Sequence, residues 1–244
     1  GSDFNEYYPT SMMETGKDII FFWVARMIML GIYRTGKVPF EKVYLHGMVR
    51  DKHGKKMSKS KGNVIAPSEI QEKYGTDALR MGLIVNNAPG SDMNLDPDKV
   101  NAYKKFANKI WNMTRFTLSA IEDMPTSAAL TDDDKRNIEE NLHKNIAEIT
   151  KYMEDNRFDL ASEKLYLFVW HYFADQLIEE SKPMLASEDP AIKSSRQRLL
   201  SEYLVGSLKI LHPYMPFVTE AIWQELPKQL KDQDILMVAK WPKF

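Results

Sequence analysis

Residues 42–62 read KVYLHGMVRDKHGKKMSKSKG. This stretch consists of two segments of opposite character. The first, residues 42–49, is a short run of β-branched and aromatic residues that predicts a buried strand. The second, residues 50–62, is a loop with six basic residues and a single acid, Asp51. An apolar, helix-like stretch at residues 19–33 precedes both. This order of helix, strand and loop indicates an α/β unit.

The composition is that of a folded protein, with 43% hydrophobic and 27% charged residues among 244. The net charge of −1 excludes binding driven by global positive charge, so an anion site has to be local. Because there is no cysteine, thiolate metal sites and cysteine nucleophiles are excluded, and we expect a cytoplasmic location. Residues 19–33 are too few for a membrane span and contain Arg26, so we predict a buried helix and no membrane contact.

The pattern changes to long amphipathic segments beyond residue 96, with apolar residues three and four positions apart. Five helices are predicted there, at residues 98–123, 133–154, 158–181, 193–211 and 215–226. Two shorter ones are predicted before them, at residues 67–75, where Pro67 suits the first helical position, and at 76–85. We therefore predict an α/β domain over residues 1–92 and an all-α bundle over residues 93–244.

Phosphate-binding groups are concentrated in the basic loop. Lys56 and Lys59 lie three residues apart, beside the hydroxyls of Ser58 and Ser60. Ammonium and hydroxyl groups on such a loop can neutralise the charge that develops on a departing pyrophosphate. The Walker sequence G-x-x-x-x-G-K-[ST] is absent, so the site is of another kind. A solvated surface loop is the alternative that any lysine-rich run allows.

The pentapeptide KMSKS at residues 56–60 is identical with the signature loop of the class I aminoacyl-tRNA synthetases. Other segments resemble the valyl branch of that family: YPTS (8–11), ETG (14–16), DIIFFWVARM (18–27), HGMVRD (46–51), KSKGNV (59–64), YGTDALR (74–80) and NKIWNMTRF (108–116). Isoleucyl enzymes carry Gly-Ser-Asp-Gln where this chain has GKDI (16–19). A leucyl or isoleucyl enzyme is therefore the nearest alternative within the class.

The resemblance implies the second half of a Rossmann-like catalytic domain, followed by a helical anticodon-binding domain. It further implies part of a monomeric enzyme that activates valine with ATP and Mg²⁺, without a resident metal, and transfers the valine to tRNA(Val). The class also requires a HIGH-type motif with two histidines three apart, and none of the five histidines has that spacing. We thus expect this chain, without the HIGH-bearing half and the editing domain, to be inactive alone. A free-standing tRNA-binding module without catalysis is the alternative from another class.

The resemblance also assigns roles to single residues. Lys59 would stabilise the triphosphate in the transition state, and Lys56 would assist it. The ATP site would be lined by Lys56, Met57, Ser58, Lys59, Ser60, Glu14, Gly16 and Asp18, with the main chain of Gly47, Met48 and Val49 holding adenine. Ile19 and Trp23 would face the valine side chain. The tRNA contacts would come from Lys105, Lys109, Asn112, Arg115 and Phe116, with Trp111 buried.

Each assignment has a structural alternative. Ile19 and Trp23 could be ordinary core residues. Glu14 and Asp18 could be acids that favour a helix N-terminus through the helix dipole. The polar residues of the first long helix could form a solvated face. For His46, which ends an apolar strand, simple packing is the prediction.

Overall fold

The computed structural model describes residues 2–58, 60 and 62–244. The chain forms two compact units that alternate along the sequence. Unit 1 comprises residues 1–65 and 87–96, and unit 2 comprises residues 66–86 and 97–244. Residues 66–86 thus pack with the helical unit, while the domain boundary after residue 92 stays a prediction.

Unit 1 is built around two short parallel sheets. Its elements are the helix α1 (Ser2–Tyr7), the strand β1 (Thr10–Gly16), the helix α2 (Ala25–Thr35) and the strands β2 (Phe40–His46), β3 (Val49–Arg50) and β4 (Met93–Asn94). β1 pairs with β2, and β3 pairs with β4. A 3₁₀ turn (Lys17–Ile19) and a π-helical segment (Ile20–Val24) lead into α2, so the β1–β2 crossover is helical, as parallel pairing requires.

The predicted strand at residues 42–49 is two strands rather than one. The break falls at Gly47, where the chain leaves the β1–β2 pair and begins to pair with β4. A Cβ atom on Gly47 would lie 1.9 Å from the carbonyl oxygen of Ser91, so only glycine fits where the two backbones cross.

The apolar segment at residues 19–33 is helical, but the prediction that it is buried is wrong. Phe21 is 77% exposed and Tyr33 is 88% exposed, whereas Val24 is buried. The reason lies in the size of unit 1, because a two-stranded sheet can cover only one side of a helix that is apolar on nearly every side.

Unit 2 is helical, and the seven predicted helices are confirmed. They appear as α3 (Pro67–Tyr74), α4 (Thr76–Ile84), α5 (Pro97–Ala120), α6 (Asp132–Asn137), α7 (Lys144–Glu154), α8 (Phe158–Tyr166), α9 (Ile178–Leu185), α10 (Pro190–Leu211) and α11 (Pro216–Glu225). Two of the predicted helices contain π-helical stretches, Ile138–His143 between α6 and α7 and Leu167–Leu177 between α8 and α9. The helices therefore continue as predicted, with a local change of winding.

The core of unit 2 follows the predicted spacing. Along α5 the buried side chains include Val100, Phe106, Ile110 and Met113, and they pack in a core whose largest member is Trp223. Burial of each such side chain contributes roughly 1.5–3 kcal/mol. None of the helices among the described residues is long and apolar enough to cross a membrane.

Candidate functional site

The basic loop is organised by its single acid, Asp51, which is buried. One carboxylate oxygen accepts the backbone N–H groups of His53 at 3.0 Å and Lys55 at 2.8 Å. The other oxygen accepts the side-chain amide of Asn63 at 2.8 Å. The Asn63 amide, followed by the Lys55 N–H, holds the pKa of Asp51 below its ordinary value. In the sequence, Asp51 stood out only as the single negative charge of the loop. Its position as the lone acid among six basic residues is the signal that could have indicated this structural role.

Asn63 fixes the other end of the same loop. Its side-chain oxygen accepts the N–H of Ser58 at 3.0 Å, and its amide also contacts the carbonyl of Lys56 at 3.3 Å. The Ser58 and Ser60 hydroxyls lie 3.3 Å apart, Met57 is half-buried and Lys56 is exposed. Lys59, the predicted catalytic lysine, lies outside the described residues. The loop therefore presents exposed Lys56 and paired hydroxyls on a hydrogen-bonded backbone.

Three polar side chains and one glycine singled out in the sequence meet where β1 and β2 end. Gly16 and His46 are register partners, and Nδ1 of the His46 ring contacts the Glu14 carboxylate. A Cβ atom on Gly16 would lie 2.8 Å from a carboxylate oxygen of Asp18 and 3.5 Å from the His46 ring. The prediction that His46 is simply packed is wrong, because its side chain is 49% exposed and pairs with Glu14. This cluster lies at the carboxyl ends of parallel strands, where open sheets bind ligands.

The main chain of Met48 is already engaged. Its N–H donates to Asp92 at 2.9 Å, and its carbonyl accepts the N–H of Met93 at 3.0 Å. The predicted adenine contact through residues 47–49 would therefore have to rely on Gly47 and Val49 rather than on the Met48 N–H.

Sequence analysis missed Asp92. Besides the Met48 N–H, its carboxylate accepts Lys17 Nζ at 2.9 Å, Arg50 Nε at 2.8 Å and Arg50 Nη2 at 2.6 Å. The Met48 N–H, then Lys17 and Arg50, hold the pKa of Asp92 far below its ordinary value. No local pattern marks such a residue, because its partners lie more than 40 positions away along the chain.

The two residues assigned to valine lie on the segment that leads into α2. Ile19 is 40% exposed and Trp23 is 49% exposed. The alternative that they are core residues of this unit is therefore wrong. Their role towards an amino acid stays a prediction.

The polar residues assigned to tRNA lie on α5. Lys105, Asn112 and Arg115 are exposed, and Phe116 is half-buried. Lys109 is ion-paired with Asp175 at 2.6 Å, so its charge is partly neutralised.

Trp111 is 42% exposed, and the prediction that it is buried is wrong. Position 111 follows the buried Ile110 by about 100° around the helix, which turns it to the edge of the apolar stripe. A groove of about 310 Å³ is lined by Trp111, Thr114, Arg115, Leu118, Ile222 and Glu225. An aromatic surface and a guanidinium thus lie together on α5.

Comparison with known proteins extends these observations. Residues 1–96 match the family described as tRNA synthetases class I (I, L, M and V), and residues 135–244 match the anticodon-binding domain of tRNA ligase. Together the two matches cover most of the chain, and the first is to the class I tRNA synthetases.

Within that class, the chain groups with the valine–tRNA ligases. It is 46% identical to the valine–tRNA ligase of Thermotoga maritima in an alignment of 245 positions, which covers 99% of this chain and 27% of that protein. It is 42% identical to the Lactobacillus johnsonii valine–tRNA ligase, with 99% of this chain and 28% of that protein covered. The chain thus spans about a quarter of the length of these relatives.

Solved structures share the fold at lower identity. The methionyl-tRNA synthetase of Mycobacterium tuberculosis, in complex with methionyl-adenylate, matches with a TM-score of 0.76 and 22% identity over 94% of this chain and 47% of that chain. The Agrobacterium radiobacter K84 LeuRS, in a ternary complex with tRNA and LeuAMS, matches with a TM-score of 0.73 and 21% identity over 98% of this chain and 30% of that chain. The architecture described above is therefore that of class I synthetases.

Proposed function

We propose that this chain supplies the KMSKS loop and the anticodon-binding bundle of a valine–tRNA ligase. The whole protein would join valine to ATP, releasing pyrophosphate, and then transfer the valyl group to tRNA(Val), releasing AMP. The observation that carries this proposal is the KMSKS loop, whose backbone is held by Asp51 and Asn63. We further propose that the protein is a monomer that works in the cytoplasm.

In the activation step, a carboxylate oxygen of valine attacks the α-phosphorus of ATP, and the bond to the bridging oxygen of pyrophosphate breaks. Lys59, assisted by Lys56, neutralises the charge that grows on that leaving group. The Ser58 and Ser60 hydroxyls donate to phosphate oxygens, and the half-buried Met57 precedes them in the loop. Mg²⁺ would enter bound to the ATP phosphates, where it would neutralise part of their charge.

The Glu14, Gly16 and Asp18 cluster serves the ribose side of ATP in this proposal. Carboxylate oxygens accept hydrogen bonds from ribose hydroxyls, and the missing side chain of Gly16 lets the Asp18 carboxylate lie close to the end of β1. Ile19 and Trp23 serve valine, because their exposed apolar surfaces can contact an aliphatic side chain.

The α5 face serves tRNA. Bases of single-stranded RNA are recognised by stacking on aromatic rings or guanidinium planes, and basic side chains contact the phosphates. Arg115 and Phe116, with the exposed Lys105 and Asn112, meet both requirements. Lys109 contributes less, since Asp175 neutralises part of its charge.

The tRNA part of the proposal is tested by binding of tRNA(Val) to this chain at increasing salt. We expect weak binding at low salt that falls as salt rises, a preference for a valine anticodon, and weaker binding by Arg115→Ala. Arg136→Ala is the matched control, because Arg136 is an exposed arginine on α6 that the proposal does not use. Indifference to the anticodon, with Arg115→Ala equal to the control, would move recognition away from this face.

The chain alone should not catalyse valine-dependent exchange between ATP and pyrophosphate. A phosphate loop without the opposing histidine motif cannot hold ATP in line for attack. Robust exchange by a pure preparation of this chain would contradict the proposal that the activation step needs a histidine motif outside this chain.

A further inference from the structure

Asp92 joins three segments of unit 1 that are distant in sequence. Its carboxylate accepts from Lys17, which lies between Gly16 and Asp18, and from the Met48 N–H at the end of the sheet. It also accepts two hydrogen bonds from the Arg50 guanidinium, at the first residue of the basic loop. One carboxylate oxygen thus accepts two N–H groups of Arg50 and the other accepts Lys17 and the Met48 N–H, and four charge-assisted hydrogen bonds hold the carboxylate in a defined geometry.

The backbone on either side of Asp92 is fixed as well. The N–H of Gly90 donates to the Leu45 carbonyl at 2.7 Å, and the N–H of Met93 donates to the Met48 carbonyl at 3.0 Å. Between these bonds, a Cβ atom on Gly47 would lie 2.5 Å from the Asp92 nitrogen. Main-chain contacts therefore fix the position of the Asp92 backbone. The side chains of Lys17 and Arg50 reach its carboxylate from other segments.

Arg50 is one of the six basic residues of the loop, but its guanidinium binds other residues of unit 1. Its guanidinium is engaged with Asp92, and a third nitrogen lies 3.4 Å from the Gly54 carbonyl. Its carbonyl accepts the N–H of Leu95 at 2.8 Å, and its backbone bridges to Lys56. Arg50 thus fixes the base of the loop that carries Lys56.

We propose that Asp92 is a positioning residue for ATP activation. It holds Arg50 at the base of the KMSKS loop and Lys17 beside the Gly16–Asp18 turn, in one fixed relation to the strand end at Met48. This inference rests on the proposed function. Loss of the carboxylate charge would free two cations near the phosphates and let the loop base shift.

Such a change should affect the rate more than ATP binding. Ground-state attraction of ATP survives, because the freed Lys17 and Arg50 still attract an anion. The geometry that the transition state needs is lost, and a displacement of about 1 Å can lower a rate by roughly 100-fold. Asp92→Asn should therefore lower kcat at least about tenfold and leave the KM for ATP within about threefold.

The experiment uses the Thermotoga maritima ligase with this chain in place of the 245 matched residues. Valine-dependent ATP–pyrophosphate exchange gives kcat and KM for Asp92→Asn, Arg50→Gln and the double variant. If Asp92 acts through Arg50, Arg50→Gln lowers kcat in the same way, and the double variant is little worse than either single one. Asp132→Asn, at an exposed aspartate of α6, is the matched control.

Three results would overturn the inference. They are an unchanged kcat for Asp92→Asn, a raised KM for ATP at unchanged kcat, and fully additive effects of the two substitutions. If Asp92→Asn does not fold, Arg50→Gln alone decides, because it leaves the Asp92 bond to the Met48 N–H in place; unchanged kinetics would then reject the proposal. An inactive parent chimera is a separate result, which rejects the proposed function and this inference with it.

Discussion

The carboxylate of Asp77 accepts the backbone N–H of Val218 at 2.7 Å, although 141 positions separate the two residues. Its other oxygen accepts the N–H of Phe217 at 3.2 Å. Both N–H groups belong to the first turn of α11, whose own N-cap residue, Met215, provides no side-chain cap. Asp77, in the first turn of α4, therefore caps a helix from outside it.

Arg80 completes this contact one turn further along α4. Its guanidinium donates to the carbonyls of Pro213 at 2.8 Å and Tyr214 at 3.2 Å. One turn of α4 thus satisfies main-chain groups in the bend between α10 and α11 and in the first turn of α11. This contact gives a structural role to the YGTDALR segment at residues 74–80.

We predict that Asp77→Ala lowers the free energy of unfolding by about 1–2 kcal/mol, as loss of a helix cap does. Asp77→Asn should lose less, because an amide oxygen can still accept one of the two N–H groups. Urea denaturation followed by circular dichroism measures both. Asp189→Ala is a useful comparison, since Asp189 caps α10 from an exposed position. Equal stability of Asp77→Ala and the parent would show that solvent replaces the cap.

The buried ion pair of Asp134 and Arg196 gives a second stability prediction. Their side chains are 5% and 9% exposed, and the pair is joined at 2.7 Å. Arg196→Met should destabilise unit 2 by about 3–5 kcal/mol, because it leaves a buried carboxylate without its cationic partner. Replacing Asp134 by Leu as well should restore most of that loss. Chemical denaturation measures the difference, and a double variant less stable than Arg196→Met would contradict this explanation.

His212 should make stability depend on pH. Burial lowers its pKa below the ordinary value, and its Nδ1 lies 2.8 Å from the Thr219 hydroxyl. The folded state therefore resists protonation. The contribution is fully present above the ordinary pKa of about 6.5 and is lost as the pH falls through the lower folded value.

Thermal melting between neutral and mildly acidic pH measures this effect. His212→Gln should flatten the dependence in part, since burial also lowers the pKa of His143. Replacing both histidines should flatten it further. An unchanged pH dependence in the double variant would assign the acid sensitivity to carboxylates.

Lys59→Ala tests the catalytic assignment in the Thermotoga maritima chimera. Its contact should strengthen as charge grows on the pyrophosphate, so we expect kcat for exchange to fall by about 10²–10³-fold with a smaller change in the KM for ATP. Lys52→Ala is the matched control, because Lys52 is an exposed lysine of the same loop outside KMSKS. A raised KM at unchanged kcat would contradict the role given to Lys59.

Local sequence patterns predicted the helices and the loop well, and non-local contacts poorly. The spacing of Val100, Phe106 and Ile110 identified the buried face of α5, because helical periodicity is a local property. The roles of Asp92 and Asp77 could not be predicted from the sequence, because their hydrogen-bond partners lie more than 40 and more than 130 positions away. The exposure of residues 19–33 could not be read from their apolar character, because it depends on what else is present to cover them.

In the proposed function, this chain forms part of a valine-specific ligase. The most direct measurement of this proposal is amino-acid-dependent ATP–pyrophosphate exchange by the Thermotoga maritima ligase in which this chain replaces the matched residues, with valine, isoleucine and leucine compared. We predict exchange with valine at a higher kcat/KM than with either of the others. A folded chimera that shows no exchange, or that prefers isoleucine or leucine, would contradict the claim.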